Sequence, residues 1–212
     1  MSKKLLEKQR RRLEEEKRLA ERRSAARRRN LITLVVAVVV SALVVGAIYM
    51  QRRAEEPSGP VGVAASQAGC GAIERPEEQG REHIEVGSPH EPYSSSPPTS
   101  GPHYETPAST GFYPSALEPE QVVHNLEHSQ IVIWYRPDVS ETTLDQLEAI
   151  VDQEPLATLA VPYEDIEGSA SFVLTAWGAS QSCARVSQEV IDDFRRQFQG
   201  QGPEKLVPPF DG

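Results

Sequence analysis

The sequence predicts an α+β protein in which one N-terminal transmembrane helix precedes a single small extracytoplasmic domain, a sheet packed by helices with a long proline-rich loop. Three observations predict it. Residues 31–50 form an uncharged apolar run, LITLVVAVVVSALVVGAIYM. The C-terminal half alternates short β-branched or aromatic runs with segments of helical periodicity. Between these parts, residues 87–119 hold eight prolines and little apolar periodicity.

Residues 1–30 carry thirteen Lys/Arg against five Glu, a local charge of +8, whereas the rest of the chain carries nine Lys/Arg against 26 Asp/Glu. Such asymmetry predicts two environments. The basic segment reads as a charged helix, with Glu7–Arg11 and Glu14–Arg18 at the favourable i,i+4 spacing. Its predicted partner is the anionic lipid headgroup layer. Nothing aromatic interleaves the basic residues, which argues against nucleic acid.

Twenty helical residues at about 1.5 Å each cover roughly the 30 Å of a bilayer core. In 31–50 only Thr33, Ser41 and Tyr49 are polar, and no polar face runs along the segment. The positive-inside rule places the N-terminus in the cytoplasm, because only Arg52 and Arg53 follow closely. A cleaved signal peptide would have a shorter apolar region with a small-residue cleavage site close behind it. The prediction is therefore an uncleaved signal-anchor in the cell membrane. A Glu/Pro/Gly/Ala/Ser-rich linker, 51–69, then leads to one domain over 70–212.

Export bears on the two cysteines. In an oxidising compartment an even count predicts one disulfide, Cys70–Cys183. The alternative is that one or both ligate a metal, although the chain lacks a Cys-x-x-Cys spacing.

Within the domain, residues 131–135 (IVIWY) have the length and composition of a strand. Ser140 is placed to cap a helix running to about Gln153, with Leu144, Leu147, Ile150 and Val151 on one face and Pro155 beyond its end. Residues 159–163 and 171–177 read as strands around a turn at 165–169. A last helix starts at Ser187 and buries Val190, Ile191, Phe194 and Phe198. The order strand–helix–strand–strand–helix predicts helices on one face of a small sheet. Tyr93, Tyr104, Phe112 and Tyr113 in the proline-rich stretch predict an ordered wrap rather than disorder.

All five histidines lie between residues 83 and 128. Ser115-x-x-Glu118 followed by Pro119 predicts a helix start with a capping box. A helix continuing from there puts His124 and His128 one turn apart on one face, joined by Glu120. Two imidazoles at that spacing can share one metal ion. The same string matches His-x-x-Glu-His, the inverted zinc-protease signature, with Glu127 as general base. That signature needs a long helix, and here a strand begins almost at once. His103 sits beside Pro97, Pro98 and Pro102, whose fixed backbone can hold an imidazole in place, and Tyr104 follows it. His83 falls at a strand edge. His90, between Pro89 and Glu91, reads as an ordinary hydrogen-bonding side chain. The candidate ligands are His83, His103, His124 and His128, with Glu127 and Tyr104 as accessory residues. The only methionines are Met1 and Met50, so an imidazole-rich site here suits Zn or Cu(II) rather than Cu(I).

Residues 97–103 (PPTSGPH), 111–113 (GFY), 124–128 (HNLEH), 176–178 (AWG) and the Pro203-Glu204 pair resemble the bacterial domain-of-unknown-function family 3105, DUF3105. The resemblance runs from about Cys70 to Pro203. It implies an exported or membrane-anchored protein and includes His83, His103, His124, His128, Cys70 and Cys183 among the matching residues. The family pattern has glycine after the second histidine of the HNLEH motif, where this chain has Ser129.

Three functions fit these residues. The first is a membrane-anchored extracytoplasmic domain binding one transition-metal ion, with a role in metal handling or the envelope. The second is a non-catalytic interaction module for another envelope protein, with structural histidines and Tyr104 and Tyr113 at its contact surface. The third is a metal-dependent hydrolase, which requires an open coordination position and a substrate cleft.

Overall fold

The computed structural model describes residues 62–212 and, upstream of them, Val40, Ser41 and Val44, which are helical. The basic segment 1–30, the rest of the span 31–50 and linker residues 51–61 lie outside the described residues. Among the described residues no helix is long and apolar enough to cross a membrane. In chain order the elements are β1 (His83–Ile84), β2 (His103–Tyr104), β3 (Gly111–Phe112), α1 (Pro119–Glu127) and β4 (Ile131–Tyr135). They continue with α2 (Glu141–Val151), β5 (Thr158–Pro162), β6 (Phe172–Ala176), β7 (Ala179–Cys183) and α3 (Gln188–Phe198).

The main sheet has the order β3-β5-β4-β6-β7. β3, β5 and β4 run parallel, while β6 and β7 add antiparallel pairs. All five residues of β4 are buried, so this strand has no solvent face. Ile131, Ile133 and Tyr135 pack with Leu147, Ile150, Val190, Ile191 and Phe194 under α2 and α3. Val132 and Trp134 point the other way, into a second cluster with Val122, Leu126, Leu159 and Val161. Helices therefore cover both faces of the sheet, not one as the element order suggested. A strand that is apolar at every position must be covered on both sides.

Ser140 caps α2, its hydroxyl accepting from the Thr143 N–H, and α3 starts directly after Ser187 as expected. α1 departs from expectation. Its N-cap is Glu118, with Pro119 in the first turn and no side-chain cap, so Ser115 forms no capping box. Proline at that position already supplies a helical φ and lacks an N–H that would need a partner. Edge strand β7, ASQSC, carries too little apolar alternation to be visible in the sequence.

Part of the stretch read as linker packs on the domain: Ala68 is fully buried in the α2/α3-side cluster. Cys70 and Cys183 form the disulfide, so neither is free to ligate a metal. Cys70 and Glu74 pair with Cys183 and Ser180 along the edge of β7. A cross-link spanning 113 residues removes loop-closure entropy from the unfolded chain worth about 4–5 kcal/mol.

Candidate metal centre

Four chain segments meet beside the free face of α1. β1 and β2 are only two residues each, but their parallel register sets His83 directly opposite His103. Their rings stand edge to face with centroids 4.8 Å apart. Residues before β2 fix His103. Gly101 holds a positive φ of 121°, and a side chain there would run into the Tyr93 ring, whose hydroxyl donates to the Pro102 carbonyl at 2.6 Å. The proline-rich wrap is thus ordered. Asn125 of α1 fastens it, accepting from the Ala108 N–H and donating to the Ala108 carbonyl at 3.0 and 2.8 Å.

α1 supplies His124 and Glu127, and His128 is its C-cap. The helix stops there because Ser129 takes a left-handed φ of 69° while its N–H returns to the Leu126 carbonyl. Glycine would occupy that conformation without strain. Serine adds a compensating contact, its hydroxyl donating to the Glu204 carbonyl at 2.7 Å.

His83, His103, His124 and Glu127 each point one ligand-type atom into a common space, all within 4.8 Å of one another. The Glu127 Oε2 lies 2.9 Å from His103 Nε2, 3.5 Å from His83 Nε2 and 4.0 Å from His124 Nε2. An ion held at about 2.0–2.1 Å spaces tetrahedral ligand atoms roughly 3.3 Å apart. The observed separations bracket that value.

The far nitrogens explain the orientation. His103 Nδ1 lies 2.8 Å from the Gly101 carbonyl and His124 Nδ1 lies 2.6 Å from the Tyr104 carbonyl. A carbonyl only accepts, so both rings carry their proton on Nδ1 and turn Nε2 inward. Metal-bound histidines are held in this way by their outer hydrogen bonds. The inward lone pair of His103 then faces a carboxylate oxygen, another acceptor, at 2.9 Å. Two acceptors at that distance require a cation between them, either a proton or a metal. Burial holds the His124 imidazole below its usual pKa, only partly opposed by the Tyr104 carbonyl, and so favours the neutral, ligating form.

The expected ligands come together with one change of membership. Glu127, expected as an accessory residue, is in the inner set, and His128 joins it through His124, the two Nε2 atoms being 3.0 Å apart. Tyr104 contributes its carbonyl to His124 and buries its ring. Glu120 does not join the histidines of its own helix. It pairs with His90 at 3.0 Å, and His90 also bonds the Glu91 carbonyl, so His90 is the ordinary hydrogen-bonding residue it was expected to be. Glu204 was not assigned a role from the sequence, yet its Oε2 lies 3.3 Å from His128 Nε2. Arg81 was also missed. It is exposed, and its Nε lies 3.9 Å from Glu127 Oε1. Only the Pro203-Glu204 similarity pointed towards either residue. A cleft of about 560 Å³ opens beside the cluster, walled by His83 and Tyr104 and edged by Glu85, Glu105 and Glu118.

A family model described as "Protein of unknown function (DUF3105)" matches residues 87–209. That span contains His103, His124, Glu127, His128, Cys183 and Glu204, whereas Cys70 and His83 precede it. No curated protein and no solved structure matches the chain. With more than half of its length matched, this chain belongs to the DUF3105 family.

Proposed function

We propose that the domain binds one transition-metal ion through His83, His103, His124 and Glu127, with His128 alongside. We further propose that it does so outside the cytoplasm, anchored by residues 31–50, in metal handling or envelope maintenance. The observation that carries the metal reading is the pair of Nδ1 contacts to the Gly101 and Tyr104 carbonyls, which aim two buried lone pairs at one carboxylate. Three imidazoles and a carboxylate suit Zn or Cu(II). The disulfide and the basic lead before the apolar run support an oxidising, extracytoplasmic location.

The interaction-module reading draws less support. Tyr104 is buried, and Tyr113 donates its hydroxyl to the Ser109 carbonyl at 2.7 Å, so both tyrosines serve the fold. The hydrolase reading would need Glu127 free to act on a water, and Glu127 lies among the ligand atoms instead.

Elemental analysis of the purified full-length chain tests the proposal. Near one equivalent of Zn or Cu is expected, lost in a His103→Ala/His124→Ala double variant that still folds. A folded wild-type protein that takes up neither metal on titration would overturn it.

A further inference from the structure

The inner set is closed on the side of His103, which is fully buried, yet a chain of ligand-type atoms leads outward from it. From Glu127 Oε2 the next lone pair is His124 Nε2 at 4.0 Å, then His128 Nε2 at 3.0 Å, then Glu204 Oε2 at 3.3 Å. Exposure rises along the same path. The side chains of Glu127 and His124 are 4% and 5% exposed, His128 19% and Glu204 46%. The outermost pair has the spacing of two ligands on one ion, roughly 3.3 Å.

Glu204 is held in place by its main chain. Its N–H donates to the Glu127 carbonyl at 2.8 Å and its carbonyl accepts from Ser129 Oγ. Gly202 packs so closely on the end of α1 that a Cβ would lie 2.7 Å from the Leu126 carbonyl oxygen. The segment after α3 is therefore clamped to the helix that carries His124, Glu127 and His128, leaving the Glu204 carboxylate free to face the solvent beside His128.

We propose that His128 and Glu204 form an outer capture pair through which a divalent transition-metal cation enters and leaves the buried set, so that the site exchanges its ion rather than retaining it permanently. This rests on the metal-binding reading above. A carboxylate at the mouth attracts the hydrated cation, and the imidazole beside it replaces part of the hydration shell. His124, within reach of both His128 and Glu127, then passes the ion inward. The cleft beside His83 offers a competing route, since that side chain is 44% exposed. Glu85, Glu105 and Glu118 edge that cleft but do not continue into a ladder, because among the described residues the only carboxylate within ion-pair distance of His83 is that of Glu127.

The test is stopped-flow uptake of zinc by the metal-stripped full-length chain, and chelator-driven release from the loaded chain, in wild type, Glu204→Gln and His128→Gln. Because Glu204 is anchored through its main chain, Glu204→Gln leaves the clamp in place. Glu204→Gln is expected to slow uptake and release together, by about tenfold, with the equilibrium affinity little changed, and His128→Gln is expected to slow uptake by a similar factor. Unchanged rates in both variants would overturn the proposal and place the route at the cleft. Weaker binding with faster release in Glu204→Gln would also overturn it, making Glu204 a resident ligand. Failure of the wild type to take up zinc at all would instead fall on the metal-binding reading, so the two failures are distinguishable.

Discussion

His103 Nε2 and Glu127 Oε2 lie 2.9 Å apart, in a site where His103 is fully buried and its other nitrogen is tied to the Gly101 carbonyl. Nothing in this arrangement is satisfied unless a positive charge sits between the two atoms. The relationship gives the first prediction. Glu127→Gln replaces an acceptor by a group that can donate to His103 while keeping its shape. Metal affinity is expected to fall by at least about 100-fold. In chelator, unfolding stability is expected to hold or rise, because the amide completes a neutral hydrogen bond. Paired metal titration and thermal unfolding check both parts, and unchanged affinity would contradict the assignment of Glu127.

Asn125 is the second test, and it concerns the scaffold. The side chain satisfies both the N–H and the carbonyl of Ala108 and also donates to Gln130. Asn125→Ala strands those main-chain groups in a buried place and is expected to cost about 2–4 kcal/mol. Denaturant unfolding measures the loss. A cost near zero would mean that the proline-rich wrap is not fastened to α1 by this residue.

Ser129 separates two opposing effects. At its φ of 69° a Cβ is strained, while its hydroxyl ties residue 204 to the end of α1. Ser129→Ala keeps the strain and loses the bond, whereas Ser129→Gly loses both. The glycine variant is expected to be more stable than the alanine variant by about 1 kcal/mol. Equal stabilities would remove backbone strain from the account.

How much of this was legible beforehand depends on the range of the signal. IVIWY, the Ser140 cap and the apolar stripe of α3 are local patterns, and each element lies where its pattern put it. The i,i+4 spacing of His124 and His128 was likewise local. The pairing of His83 with His103 rests on two-residue strands, too short for any periodicity. The inward turn of Glu127 depends on where those strands fall, and Glu204 reaches His128 across 76 residues through main-chain contacts that its side-chain identity does not encode. Covering the sheet on both faces followed from β4 being apolar throughout, and the element order alone concealed it.

His90 and Glu120 give a pH prediction away from the metal ligands. The hydrogen bond to Glu120 raises the His90 pKa above its ordinary value, against the lowering effect of burial. A raised folded-state value means that this contribution to stability is present in full below about pH 6.5 and is lost as the pH rises through the folded-state pKa. Wild type is therefore expected to lose its advantage over His90→Gln across that window, by up to about 1 kcal/mol. Urea unfolding of both proteins at several pH values, in chelator, gives the difference. A pH-independent difference would contradict the assignment.

X-ray absorption at the zinc edge of the zinc-loaded full-length chain tests the central claim most directly. The expected first shell is about three imidazole nitrogens at 2.0–2.1 Å with one or two oxygens at 2.0–2.2 Å, and no sulfur. A shell of oxygens alone, without imidazole scattering, would contradict the claim that these histidines form a metal centre.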